Sequence, residues 1–461
     1  MKQQRPFPQV VVTRKAARAL QAGHPWVFEG EVLRVDPAPL GGQPAVNGDV
    51  VDVVEANGTY QGTGLLSLKS KIRVRIVSRN ANDRFDAAFW ERKLAWAWEY
   101  RRQTMGPRSL PGCPSDLRAC RVLFSEADGF PGLIIDRYED VLVSQVGTFG
   151  MERLKAVIYP LLLNVMDAAG EEIHGIYERN DSSIRDKEGL VRGKGWWRPV
   201  DNDEYKGITE QRGQVADPLA RIVGEPAELQ IVENGIRYAL DLEHSQKTGY
   251  FLDQKYNRRA VRRLAGGKRV LDAFCHVGSF GLNAAAGGAA FVRCVDVSET
   301  ACELARGNAE LNGFELVEGP MLASDRPTGK VGVTCANVME YLPHLRENRD
   351  MLREEGGPFD LIVLDPPAFT KSRTTTENAA RGYKQVNLEA LRLLPRGGYL
   401  ATCSCSHFMP AARLAQVVAE AAHDAGVQVR QVEERQQAPD HPILYGVPET
   451  DYLKFFIFQV V

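Results

Sequence analysis

From about residue 228 onward the chain alternates apolar strands with helices, and three of those strands end in a carboxylate. Short apolar strands separated by helices admit few arrangements other than a doubly wound, mostly parallel sheet. The predicted strands are Arg269-Val-Leu-Asp, Phe291-Val-Arg-Cys-Val-Asp, Gly332-Val-Thr-Cys-Ala, Phe359-Asp-Leu-Ile-Val-Leu-Asp and Gly398-Tyr-Leu-Ala-Thr-Cys. Helices are predicted over about 298–312, 377–394 and 410–425. In open α/β sheets ligands bind outside the carboxyl ends of the strands, so those ends are where chemistry is to be sought.

The first end is Val270-Leu-Asp-Ala-Phe-Cys-His-Val-Gly-Ser-Phe-Gly281, followed by Asn283-Ala-Ala-Ala. Gly278 lets the backbone approach a ligand beside a helix N-terminus, although a strand–glycine–helix junction also serves as a plain packing corner. Asp296 ends the next strand, where an acidic side chain suits ribose hydroxyls, and Ser298 is available to cap the helix that follows. No Gly-x-Gly-x-x-G accompanies this pair of aspartates. A nucleoside without pyrophosphate is therefore expected, and S-adenosylmethionine fits better than NAD. The third end, Asp365-Pro-Pro-Ala-Phe, is a stiff loop that holds a carboxylate where it can meet a base amino group or ring nitrogen. Thr402-Cys-Ser-Cys-Ser406 ends another strand at the same edge, and Cys405 is either a nucleophile or an inert buried thiol.

At 461 residues the chain exceeds one ordinary core, and two or three domains are expected. Three are predicted: a small β-barrel over 1–80, a linker helix with a small α+β unit over 81–225, and the α/β sheet over 226–461. In the first, Thr13 is placed to cap a basic helix, Asn57-Gly58 marks a hairpin, and Lys71-Ile-Arg-Val-Arg-Ile-Val alternates with period two. That alternation sets Lys71, Arg73 and Arg75 on one face, as either a solvated outer surface or a basic ribbon facing RNA. Residues 1–80 carry 11 Lys/Arg against 6 Asp/Glu, a local excess of +5 in a chain whose net charge is −2. In the second unit a helix is predicted over 86–103, a loop over 104–118, strands at Arg121-Val-Leu-Phe, Leu133-Ile-Ile-Asp, Val141-Leu-Val-Ser-Gln-Val and Gly175-Ile-Tyr-Glu, and a helix over 151–167. The stretch 196–226 has linker composition. No run reaches the ~20 apolar residues of a membrane helix, no secretory signal opens the chain, and a cytoplasmic protein with no membrane partner is expected. None of the eight cysteines forms Cys-x-x-Cys, so no metal site is expected.

Taken together these residues resemble the class I methyltransferases that make 5-methylcytosine in large-subunit ribosomal RNA. That family joins an N-terminal PUA domain and a central α+β domain to a Rossmann-like methyltransferase domain. Beyond the strand ends, the resemblance is carried by Gly23-His-Pro-Trp-Val-Phe, Gly48-Asp-Val-Val, Glu126-Ala-Asp-Gly-Phe-Pro-Gly-Leu-Ile-Ile-Asp-Arg-Tyr and Tyr177-Glu-Arg-Asn-Asp. Gln246-Lys-Thr-Gly-Tyr-Phe-Leu-Asp-Gln, Asp440-His-Pro and Tyr452-Leu-Lys complete it. It implies that Asp272, Phe274, Gly278, Asp296, Asn337 and Asp365 bind S-adenosylmethionine, with Asp296 at the ribose and Asn337, where the family often has aspartate, at the adenine. It makes Cys405 the catalytic cysteine, places Cys403 on a variable position, and implies 23S rRNA as the partner. Because carbon 5 of cytosine is a poor nucleophile, a thiolate adding to carbon 6 would activate it, with Asp365 stabilising the ring through nitrogen 3 or the amino group. Relatives that methylate guanine N2 leave an amino-directed reaction open, and a noncatalytic RNA-binding assembly factor is a third reading. A homodimer is also left open. Extra residues at about 104–118, 196–226 and 318–330 depart from the compact family pattern.

Overall fold

The computed structural model describes residues 5–39, 42–197, 229–243, 248–317, 329–354, 357–369 and 376–461. Most of the expected linker at 196–226, residues 318–328 of the extra stretch, and Gln246 and Lys247 lie outside the described residues.

The chain opens with a six-stranded sheet of β1 (Gln9–Val12), β2 (Trp26–Phe28), β3 (Val32–Asp36), β4 (Val50–Glu55), β5 (Tyr60–Leu66) and β6 (Ile72–Ser78), in the order β2-β6-β5-β4-β1-β3. Helix α1 (Arg14–Gln21) begins where Thr13 accepts a hydrogen bond from the Ala16 amide, the cap its hydroxyl was expected to supply. Asn57 and Gly58, the latter at φ +81°, turn β4 into β5. Val10, Val27, Val53 and Val74 fill this sheet's own small core.

Helix α2 (Ala87–Met105) starts at Asp86, whose carboxylate accepts from the Phe89 amide at 2.9 Å. It buries Trp90 and Trp98 and leaves Trp96 in solvent. The second sheet follows, with β7 (Ala119–Phe124), β8 (Leu133–Tyr138), β9 (Val141–Val146), β10 (Gly175–Asn180) and β11 (Gly193–Trp196) in the order β11-β10-β9-β8-β7. Helix α3 (Phe149–Ala168) crosses between β9 and β10, and α4 (Ile184–Glu188) lies between β10 and β11. A two-stranded ribbon, β12 (Leu229–Glu233) and β13 (Ile236–Leu240), leads to α5 (Lys255–Leu264).

The third sheet has eight strands: β14 (Arg269–Ala273), β15 (Phe291–Asp296), β16 (Glu315–Leu316), β17 (Lys330–Cys335), β18 (Leu361–Leu364), β19 (Tyr399–Ser404), β20 (Val429–Gln436) and β21 (Lys454–Val460). Their order is β16-β17-β15-β14-β18-β19-β21-β20, and only β21 runs against its neighbours. The chain proceeds outward from β14 to β15 and β17, then returns to β18 on the other side of β14. That reversal opens the crevice in which doubly wound sheets bind ligands. The connecting helices are α6 (Ser279–Ala286), α7 (Glu299–Leu311), α8 (Val338–Glu347), α9 (Arg349–Glu354), α10 (Thr376–Leu393) and α11 (Ala411–Ala425). Alternate residues of each strand feed two cores: Val270, Val363 and Ala401 on one face, Leu271, Ile362 and Leu400 on the other. The first of these cores is continuous with Ala119, Tyr138 and Val143 of the second sheet. Thr248 reinforces the junction by donating to Asp136. Among the described residues no helix is long and apolar enough to cross a membrane.

Candidate active site

The turn after β14 is built from backbone conformations that side chains seldom adopt. Phe274 (φ +64°) and His276 (φ +50°) are left-handed, as is Gly278 (φ +79°). Two non-glycine residues held there cost on the order of 1–3 kcal/mol each, and such strain clusters at binding loops. Neighbouring groups impose it. The Asp296 carboxylate accepts from the His276 amide at 2.9 Å and from the Ser298 amide at 3.0 Å. Ser298 caps α7 through the Ala301 amide, as its position predicts. Asp272, at 0 % exposure, accepts from the Gly281 amide at 2.7 Å. A Cβ on Gly281 would lie 2.5 Å from Cys294 Sγ and 3.1 Å from the Asp272 carboxylate, so this close packing requires glycine.

The other Asp272 oxygen, Oδ1, is buried and has no hydrogen-bond partner among the described residues. Burial pushes the Asp272 carboxyl up to about 7; the Gly281 amide opposes the shift, while the charges of Asp365 and Asp296 add to it. Three carboxylates at adjacent strand ends, one of them short of a partner, make a site that favours a cation. Asn337 caps α8, its side-chain oxygen accepting from the Met339 amide at 3.1 Å and its amide donating to Glu340 at 2.8 Å.

Asp365 follows β18. Its Oδ1 lies 3.0 Å from Cys403 Sγ, and its Oδ2 accepts from the Gln254 side-chain amide at 3.3 Å. Gln254, 3 % exposed just ahead of α5, also reaches Cys403 Sγ at 3.4 Å. Its carbonyl oxygen accepts from Asn257 at 2.6 Å, and Asn257 accepts from Arg435 of β20 at 3.1 Å. A buried relay thus runs from the sheet edge to the carboxylate. Sequence reasoning singled out neither Gln254 nor Asn257, and the one signal for Gln254 was its place at the end of the Gln246–Gln254 run. Burial and the neighbouring Asp365 push the Cys403 thiol well above its usual range, so it stays protonated as a donor. Cys405 lies just beyond the end of β19 and is half-buried.

Between the second and third sheets a cavity of about 460 Å³ is lined by Arg121, Gln145, Arg179, Phe251, Asp253 and Tyr452, among others. Asp253 directly precedes Gln254, and the Phe251 ring meets His276 edge-on at 5.1 Å. The cavity therefore adjoins both the strained turn and the relay to Asp365.

The basic ribbon of β6 is not what its alternation predicts. Only Lys71 is exposed. Arg73 pairs with Glu29 and donates to the Ser67 carbonyl at 3.0 Å. Arg75 is 8 % exposed and forms a 2.9 Å ion pair with Glu188 of α4, itself 1 % exposed. The second unit packs over this face of β6 and converts an apparent outer surface into an internal junction.

A family model described as S-adenosylmethionine-dependent methyltransferase matches residues 208–458, and a PUA-like domain model matches residues 10–79. "Ribosomal RNA large subunit methyltransferase I" of Klebsiella pneumoniae (strain 342) is 34% identical over 457 residues, covering 99% of each chain. The protein of the same name from Shewanella denitrificans is 38% identical over 444 residues, covering 96% of this chain and 97% of its own. The chain belongs to the ribosomal RNA large subunit methyltransferase I family. These two relatives match nearly the whole length of this chain, across both matched domains. A solved Streptococcus mutans structure, described as a SAM-dependent methyltransferase, covers 98% of this chain and 100% of its own at a TM-score of 0.70 and 19% identity. A second, described as complexed with SAH, has a TM-score of 0.71 at 19% identity. Both share the fold: a mixed α/β methyltransferase sheet behind an N-terminal PUA-like domain.

The cofactor of this family is S-adenosylmethionine, and the residues present fit it. The molecule carries a sulfonium and an ammonium, and the turn offers it the unpartnered Oδ1 of buried Asp272 within a cluster of carboxylates.

Proposed function

We propose that this protein methylates carbon 5 of a cytosine in large-subunit ribosomal RNA, with Cys405 as nucleophile and Asp365 as the group that steadies the ring. The observation that carries this reading is the division of labour at two adjacent strand ends. Cys403 is buried and spends its thiol hydrogen on Asp365, whereas Cys405, two residues on, is only half-buried. Support for the RNA class comes from the relatives' names and from the PUA-like N-terminal match.

Asp272, Phe274, Gly278, Asp296 and Asn337 would hold S-adenosylmethionine along the crevice, with Asp365 at its inner end. When bound, the cofactor supplies an electrophilic methyl group. The Cys405 thiolate adds to carbon 6 of the ring and makes carbon 5 enamine-like. Asp365, fixed by Cys403 and Gln254, either accepts a hydrogen bond from the amino group or donates its carboxyl proton to nitrogen 3, where the displaced ring electron pair collects. After carbon 5 has been methylated, a base removes its proton and the sulfur leaves carbon 6. The cytosine must be unstacked to enter, and the cavity between the second and third sheets offers room for a displaced nucleotide. Residues 1–80 and 81–225 would grip the flanking RNA.

The test is nucleoside mass spectrometry of large-subunit rRNA incubated with the protein and S-adenosylmethionine. The expected product is 5-methylcytidine. N2-methylguanosine in its place would reassign Asp365 to gripping an exocyclic amine and leave Cys405 as packing. A folded protein that binds RNA but no cofactor would be an assembly factor.

A further inference from the structure

Lys454 opens β21, and the strand register sets it directly opposite Ser404 at the end of β19. Its Nζ donates to the carbonyl oxygens of Ser406 at 3.4 Å and Asp451 at 3.1 Å. Lys454 is thus tied to the chain on both sides of Cys405, its backbone by register to the residue before it and its ammonium by hydrogen bond to the residue after it. Lys454 is only 5 % exposed, and both partners of its ammonium are backbone carbonyls rather than carboxylates. Buried charge is costly unless it meets an opposite charge, and carbonyl dipoles supply only part of that compensation.

We infer that Lys454 is the positioning residue of the Cys405 nucleophile: its ammonium faces the sulfur, stabilises the thiolate and holds it at the mouth of the site. The inference rests on Cys405 being the nucleophile of the proposed function. The step it assists breaks only the S–H bond. The proton passes to solvent, the electron pair stays on sulfur, and Lys454 keeps its own protons. An adjacent cation is the usual means by which a protein turns a weakly acidic thiol into a reactive one.

The surrounding groups agree. Burial lowers the Lys454 pKa below the usual ammonium value, while negative charge on Asp451 and on Cys405 opposes that shift. Tyr383 from α10 and Cys403 on its own strand also interact with Cys405. Burial raises both of these above their usual values, so neither supplies a charge near neutral pH. Of Lys454, Tyr383 and Cys403, Lys454 is the cation.

The experiment is the pH profile of Cys405 alkylation by iodoacetamide in the full-length protein, read by site-resolved mass spectrometry so that Cys113 and Cys335 are scored apart. The wild-type midpoint is expected below that of an ordinary thiol, about 8.5. K454M should raise the midpoint and slow alkylation at pH 7 by about tenfold or more, the effect of one pH unit. K454R should restore a profile near that of the wild type, which a lysine needed only for packing would not predict. A wild-type midpoint at or above about 8.5 overturns the inference whether or not K454M folds. So does an unshifted midpoint in a K454M protein that unfolds cooperatively. A depressed midpoint without 5-methylcytidine in the RNA would leave the Lys454–Cys405 pair standing and remove the cytosine reading. An ordinary midpoint with 5-methylcytidine formed would do the reverse.

Discussion

Cys403 and Asp365, at the ends of neighbouring parallel strands, are joined by a 3.0 Å sulfur–carboxylate hydrogen bond. The bond separates two cysteines that lie only two residues apart. A thiol that is fully buried, held protonated and committed to a carboxylate cannot readily attack a base. Cys403 instead helps orient Asp365, and the partly exposed cysteine of the two is Cys405.

RNA containing 5-fluorocytosine should accordingly trap the wild-type protein as a covalent adduct, because fluorine at carbon 5 cannot leave as a proton does. Cys403→Ala should still form the adduct, at a reduced rate, since Asp365 loses the Cys403 donor. Cys405→Ala should form none while still binding cofactor. An adduct mapped to Cys403 by peptide mass spectrometry would overturn the assignment.

Gln254→Ala removes a donor to Asp365 and opens the relay to Asn257 and Arg435. Single-turnover methylation should slow on the order of ten- to a hundredfold, the equivalent of losing one hydrogen bond to a charged group at about 1.5–3 kcal/mol. An unchanged rate would mean that the relay serves only to dock α5.

Asp272 makes the stability of the cofactor-free protein depend on pH. Its folded carboxyl lies at about 7, above the ordinary aspartate value, so the folded state binds the extra proton. The stability from that proton is fully present below about pH 4 and is lost as pH rises through about 7. Asp272→Asn cannot titrate, so its melting temperature relative to wild type should rise from pH 5 to pH 8. The gain is bounded by ~4 kcal/mol, the equivalent of a shift of about three pH units. Cofactor binding should be lost in the same variant. A difference in melting temperature that does not vary with pH would place the titration elsewhere.

Asp296→Ala should weaken S-adenosylmethionine binding by at least ~1.5 kcal/mol, the scale of a charged hydrogen bond. The carboxylate both faces the crevice and props the His276 amide in its left-handed turn. Calorimetry showing unaltered affinity in a folded variant would remove Asp296 from the site.

Arg75→Met should destabilise the protein by about 3–5 kcal/mol, because it strands the buried Glu188 carboxylate without its counter-charge. Denaturant unfolding would reveal this as a lowered midpoint. The salt dependence of RNA binding should respond instead to Lys71→Gln, losing about one counterion from its slope. If Arg75→Met proves as stable as wild type, the junction between the first two sheets does not depend on this pair.

What could be read along the chain was whatever depends on local chemistry. The apolar runs at Val270, Val292 and Leu361, the caps Thr13 and Ser298, and the turn at Asn57-Gly58 each carry their cause within a few residues, and each occurs in the structure. The carboxylates at the strand ends were legible for the same reason, since a strand's direction decides which of its ends faces the crevice. One strand, β20, escaped because its partner, not its pattern, makes it. β20, Val-Arg-Gln-Val-Glu-Glu-Arg-Gln, is a polar edge strand with no apolar alternation, and it exists by pairing with β21. Only the tertiary structure could decide which alternating face is solvent: β6 displays the same period whether its arginines meet water or Glu188. It also decided what separates Cys403 from Cys405. Spacing on an extended chain points both side chains the same way, but β19 ends between them, and Gln254, 149 positions from Cys403, arrives to close the buried side. Contacts between residues so far apart are set by how whole elements pack, and no short window of sequence contains them.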